Sequence, residues 1–308
     1  LIDARVKFRH LHTFVEVARQ KSIGRAANAL SISQPAVTKT IRELEDALGV
    51  AVFERDGRGI RITRYGEIFL RYAGAALTAL QQGLDSVSQD MFDTGPPLRI
   101  GALPTVSTRI MPKVMNAFLA TDTGSRVKIV TGENAVLMEQ LRLGELDLVV
   151  GRLAAPEKMT GLSFEHLYSE QVVFAVRAGH PLTAPTYALF KRFGDYPVLM
   201  PSRGSIIRPV VEQFLIAHGI ASLPTQIETV SDAFGRAFVR SSDAIWIISA
   251  GVVAADIEDG LLQSLPIDTS DTRGPVGLTI RADTPPSTPL AILMQTIRDA
   301  AADRAKVP

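Results

Sequence analysis

Residues 33–48 constrain this chain more than any other stretch. Ser33-Gln34-Pro35 reads as a helix start. The serine hydroxyl can accept from a first-turn amide, and a proline near the entry gives up an N–H that has no helical partner there. Val37, Ile41, Leu44 and Leu48 then recur at steps of three and four and make one apolar face. Gln34, Thr38, Lys39 and Arg42 fall on the opposite face, where amide, hydroxyl and cation can meet base edges and phosphates. An apolar back with a polar, basic front is what a helix needs to sit in a major groove while anchored to a core.

The flanking segments fit that placement. Phe8, Leu11, Phe14, Val15 and Ala18 form an amphipathic first helix. Ser22 starts a short second helix, and its place there makes it a further candidate contact to DNA. Ala26, Ala27 and Leu30 are small enough on its packing face for two helices to cross closely. Ser31-Ile32-Ser33 is then the tight turn of a helix-turn-helix. Downstream, Val52 to Thr63 holds two short apolar runs around a glycine-containing turn, a β-hairpin. Arg55, Arg58, Arg61 and Arg64 ring it, as suits a wing that reaches backbone or minor groove.

These residues together resemble the LysR-type transcriptional regulators. The match runs through Phe14, Ala26-Ala27, Leu30, Ser33-Gln34-Pro35-Ala36-Val37, Leu44-Glu45, Leu48-Gly49, Phe53, Arg55, Thr63 and Gly66. Thr38 stands where serine is usual in that family, and Tyr65 where alanine is common. The resemblance implies promoter DNA, RNA polymerase and a small effector as partners. It also implies self-association, as a dimer and then a tetramer.

Composition enters through its distribution. The net charge is only +1, but residues 1–72 hold 13 Lys+Arg against 8 Asp+Glu, and the remainder 20 against 24. The basic end is the candidate reader of DNA. With no cysteine, disulfides and cysteine-based zinc sites are excluded. The five histidines show no metal-ligand spacing, and no Gly-x-Ser-x-Gly or phosphate-loop pattern occurs. The expectation is a cytoplasmic regulator that is not an enzyme and carries no metal or cofactor. No leader and no apolar run of about 20 residues point to a membrane.

From Arg64 to Asp93 the pattern is one helix, about 43 Å long. Phe69, Tyr72, Ala76, Leu80, Leu84, Val87 and Met91 line its apolar seam, which needs a partner. The LysR resemblance implies the same helix of a second subunit, and the alternative is packing along its own effector domain. Thr94-Gly95-Pro96-Pro97 ends it. The chain thus divides into a winged helix-turn-helix over 1–63, a linker helix over 64–93 and an effector domain over 94–308.

The last part alternates strands and helices as a doubly wound α/β pattern. It leaves one lobe near Gln171 and returns near Val276, giving lobe I over 98–170 with 276–308 and lobe II over 171–275. Two crossings between two lobes predict a hinged clamshell like the periplasmic binding proteins. The fold class is therefore a multidomain α+β chain. Ligand should bind between the lobes, at strand ends where helices begin. Leu103, Pro104, Thr105 and Ser107 lie at one such place, Ser202 and Arg203 at a second, Ser231 at a third and Arg152 at a fourth.

Four stretches, Ile2 to His10, Leu103 to Ser107, Val127 to Asn134 and Gly151 to Gly161, resemble the regulators of protocatechuate (pca) catabolism. That implies activation by a carboxylated aromatic or muconate-type ring-cleavage product. A LysR-type regulator answering to a different small acid or sugar, and a solute-binding protein sharing the clamshell, are the alternatives.

Overall fold

The computed structural model describes residues 5–57, 59–89, 97–121, 123–184, 189–220 and 222–304. Arg58, Ile2 to Ala4, residues 90–93 of the expected linker helix and the Thr94 to Pro96 boundary lie outside them. The chain forms two compact units, Leu1–Pro96 with Arg142–Glu145, and Pro97–Leu141 with Leu146–Pro308. Among the described residues no helix is long and apolar enough to cross a membrane.

The first unit starts with α1 (Phe8–Gln20), α2 (Ile23–Ala29) and α3 (Gln34–Leu48). Ser22 and Ser33 cap α2 and α3, accepting from the Arg25 and Ala36 amides at 3.4 Å each. Phe14, Val17, Ala26, Ala27, Val37, Ile41 and Leu44 are buried between these helices. Each larger side chain among them contributes about 1.5–3 kcal/mol by leaving water. The wing follows as β1 (Phe53–Asp56) and β2 (Gly59–Ile62), antiparallel, with Phe53 opposite Ile62. Then α4 runs over Arg64–Gln89. Phe69 was expected on the outer seam of α4 and is instead turned inward, its ring 5.2 Å from that of Phe14. Leu70 and Ala73 are buried in the same core, whereas Tyr72, Leu80 and Leu84 are exposed.

The second unit holds two five-stranded sheets. Lobe I has the order β4 (Val127–Thr131), β3 (Leu98–Ala102), β5 (Leu148–Arg152), β12 (Gly274–Arg281), β6 (Leu162–Glu170). Lobe II has the order β11 (Leu262–Ser264), β7 (Val172–Arg177), β10 (Ile245–Ser249), β8 (Val198–Pro201), β9 (Gln226–Thr229). In each sheet three neighbouring strands run parallel, and two join antiparallel at one side. The chain crosses between lobes at Gln171 and again between β11 and β12.

The helices are α5 (Pro104–Arg109), α6 (Met111–Leu119), α7 (Asn134–Arg142), α8 (Arg208–Ala217), α9 (Asp232–Arg240), α10 (Ala250–Glu258) and α11 (Thr288–Arg304). Met111, Val114, Met115 and Phe118 predict one helix over 108–119; that stretch spans the end of α5 and all of α6, with Pro112 entering the second. Two elements in particular give little signal in the sequence. The edge strand β6 is half polar, with Ser163, Glu165 and His166 along it, and its pairing with β12 shifts register at Val276/Gly277. The helix α10 is too uniformly apolar to show a helical stripe, since α5 packs against it as well as β11 and β10.

Candidate nucleic-acid interface and effector cleft

Gln34, Pro35, Lys39 and Arg42 stand exposed on α3, with Thr38 half-buried beside them. With Glu43 and Asp46 they line one shallow, open concavity. Glu43, which sequence reading passed over, organises this face. Its carboxylate accepts from Arg9 at 2.8 Å, meets His10 Nε2 at 3.2 Å and lies 4.0 Å from Lys39 Nζ. The hydrogen bond from Arg9, then that from His10, holds its carboxyl below the ordinary range.

The wing is tied to α3 through Glu45, whose carboxylate accepts from the Val52 and Phe53 amides at 2.9 and 3.3 Å. Thr63 Oγ1 donates to the Ala51 carbonyl at 2.8 Å and accepts from the Gly66 amide at 3.1 Å. A β-carbon at residue 66 would lie 2.2 Å from the Val52 carbonyl oxygen, so the position must be glycine. Arg55 is exposed on the wing. Arg61 is already engaged, its Nη2 lying 2.8 Å from Glu54 Oε1. Arg58 lies outside the described residues.

In the second unit a cavity of about 390 Å³ opens between the lobes. Leu103, Pro104 and Ser107 line it from the start of α5, and Ser231 from the start of α9. Ser107 Oγ donates to the Pro104 carbonyl at 3.0 Å, and Ser231 Oγ accepts from the Phe234 amide at 3.2 Å. Trp246, Ile206 and Ile248 add apolar wall, and Thr131, Thr229 and Ser205 add hydroxyls. Two acids also line it, Glu133 and Asp232, and among the described residues no Lys, Arg or His does. Burial pushes the Asp232 carboxyl up, with the charge of Arg236 opposing. The rule that singled out Leu103 to Ser107, a turn between strand and helix, applies equally to Gly132-Glu133-Asn134 after β4 and would have found Glu133.

Four expected effector contacts lie outside this lining. Thr105 is buried away from the cavity, donating its hydroxyl to Glu170 Oε2. Arg152 is only 6% exposed and belongs to the crossings, not to the ligand wall. Its Nη2 donates to the Glu170 carbonyl at 2.9 Å and to the Thr272 carbonyl, one on each crossing segment. Arg203 is 88% exposed and 4.0 Å from Glu228, outside the cavity lining. Long side chains on a tight turn are drawn to water and the nearest surface carboxylate, which turn position alone does not reveal. Ser202 is not in the lining either, but its hydroxyl donates across the cleft to Glu133 Oε1 at 2.8 Å.

A family model described as a bacterial regulatory helix-turn-helix protein of the lysR family matches residues 8–67. A second, the LysR substrate binding domain, matches residues 93–302. The chain belongs to the LysR family. Like other LysR regulators it binds promoter DNA through its helix-turn-helix, responds to a small molecule and self-associates. It is 71% identical over 303 residues to the HTH-type transcriptional regulator PcaQ of Agrobacterium fabrum, covering 98% of this chain and 97% of that protein. The uncharacterized HTH-type transcriptional regulator YdcI of Escherichia coli is 33% identical and is covered over 97% of both chains. Among solved structures, full-length LysG from Corynebacterium glutamicum with bound effector Arg superposes with a TM-score of 0.60 at 21% identity, covering 97% of this chain and 99% of that one. Full-length CbnR complexed with its target DNA gives 0.53 at 24% identity, covering 96% and 100%. These two likenesses show the LysR fold, with a winged helix-turn-helix, a linker helix and a two-lobed effector domain.

Proposed function

We propose that this LysR regulator controls genes of protocatechuate (pca) catabolism and that the inter-lobe cavity takes a carboxylated aromatic or muconate-type effector. The observation that carries the reading is the 71% identity to PcaQ over nearly the whole of both chains. The cavity suits such a compound in size and make-up. Trp246, Leu103, Ile206 and Ile248 accommodate a flat apolar skeleton. Ser107, Ser205, Ser231 and the chain amides at the starts of α5 and α9 supply neutral donors for carboxylate oxygens. At the other end of the chain Gln34 and Thr38 read base edges, while Lys39, Arg42 and Arg55 hold phosphates.

The test is thermal unfolding with a panel of aromatic acids and ring-cleavage products. A ligand of the folded state raises stability by RT ln(1 + [L]/Kd), so the effector separates from its analogues. Protocatechuate or carboxymuconate is expected to raise Tm and to change binding to a pca promoter fragment. No shift with either, alongside a shift with a sugar or another acid, would overturn the reading.

A further inference from the structure

Glu133 stands immediately before α7 in lobe I, and its carboxylate reaches the Ser202 to Ser205 turn of lobe II. Two observations fix it there. Ser202 Oγ donates to Glu133 Oε1 at 2.8 Å. A β-carbon built on Gly204 would lie 2.1 Å from Glu133 Oε2 and 2.6 Å from its Cδ, so the carboxylate rests directly on the backbone of residue 204. The turn is closed by the Ser205 amide donating to the Ser202 carbonyl at 2.9 Å, and Glu133 and Ser205 line the same cavity.

We infer that Glu133 is an internal competitor for the effector's carboxylate: it holds the Ser202–Ser205 turn in place of ligand, and an effector must displace it to bind. This rests on the reading of the cavity as the effector site. With no Lys, Arg or His in the lining among the described residues, an arriving carboxylate competes for the hydroxyls and amides of this turn, and one good position is already filled by an acid of the same chemistry. The displaced Glu133 and the ligand repel each other, so affinity is lowered by the fraction of molecules in which Glu133 has let go. Glu133 thus sets the effector concentration at which the lobes rearrange. It favours ligands that bring their own acceptor to replace it.

Two substitutions separate this from a merely structural contact. Glu133→Ala removes the competitor and leaves the turn vacant, so carboxymuconate or protocatechuate, whichever the parent binds, should bind threefold or more tightly by calorimetry. Gly204→Ala places a methyl where the carboxylate sits, at a φ outside the left-handed region, so the backbone tolerates it. It should expel Glu133 and obstruct the ligand's carboxylate as well, weakening binding. Equal or weaker binding by Glu133→Ala makes Glu133 a ligand contact or a bystander and overturns the inference.

If the parent binds neither compound, the pca reading fails, and hydrogen exchange of the ligand-free proteins still decides the contact. Amides of residues 202–205 should exchange faster in Glu133→Ala and in Ser202→Ala than in the parent. Unchanged exchange in both would overturn it.

Discussion

At the scale of single residues, the recognition helix divides its work between contact and placement. Gln34 is exposed at the start of α3, where an amide can meet a base edge. Gln34→Ala is expected to cost about 1–3 kcal/mol at the cognate site and to relax preference there, measured by titration of cognate and scrambled fragments. Glu43 acts differently, by holding Arg9 and His10. Its folded pKa is depressed, so its contribution to stability is present above the unfolded value and is lost as pH falls through the folded one. Glu43→Gln should therefore lower Tm near neutrality and converge with the parent in acid. Asp232 has the opposite sign. Its raised pKa favours folding below the unfolded value, and that advantage goes as pH rises. Melts of Asp232→Asn should gain on the parent with rising pH. The caps and apolar positions of α2 and α3 were legible because periodicity and capping are local. Glu43 was not, because its partners lie 33 and 34 residues away in sequence.

At the scale of elements, α4 changes surroundings along its length. Phe69, Leu70 and Ala73 pack into the helix-turn-helix, so the first turns of α4 are committed to it. Further on, Leu80 and Leu84 are 47% and 57% exposed. Large apolar side chains one turn apart on an exposed face suit a second copy of the same helix. Leu80→Asp with Leu84→Asp should place unpaired charge in that seam and dissociate the dimer. Sedimentation that shows the parental oligomer would exclude the seam. The sequence stripe ran through Phe69 without a break, because apolar periodicity marks burial and not which neighbour supplies it. For the same reason the pattern over 108–119 concealed the division between α5 and α6. The edge strand β6 escaped because half its side chains face water.

At the scale of the whole second unit, Arg152 joins the two segments that connect the lobes. Its guanidinium donates to carbonyls of Glu170 and Thr272, and a β-carbon on Gly274 would lie 2.6 Å from its Nε. Arg152→Ala would leave both carbonyls and the buried Glu170 carboxylate without their cation, at a cost of about 3–5 kcal/mol. Thermal unfolding of the variant against the parent measures it, and a change within 1 kcal/mol would mean the crossings hold without Arg152. The lobes and their two crossings could be read from the order of strands. The role of Arg152 could not, since it depends on a carbonyl 120 residues away. The cleft has one further consequence, for ionic strength. DNA affinity falls steeply with added salt, because each phosphate held releases counterions. A cavity lined, among the described residues, by two acids and no Lys, Arg or His has no such attraction for salt to screen, and screening its acids favours an anionic ligand. Raising salt should therefore strip the regulator from its promoter while leaving effector affinity level or slightly improved, so a single buffer variable separates the molecule's two recognition tasks.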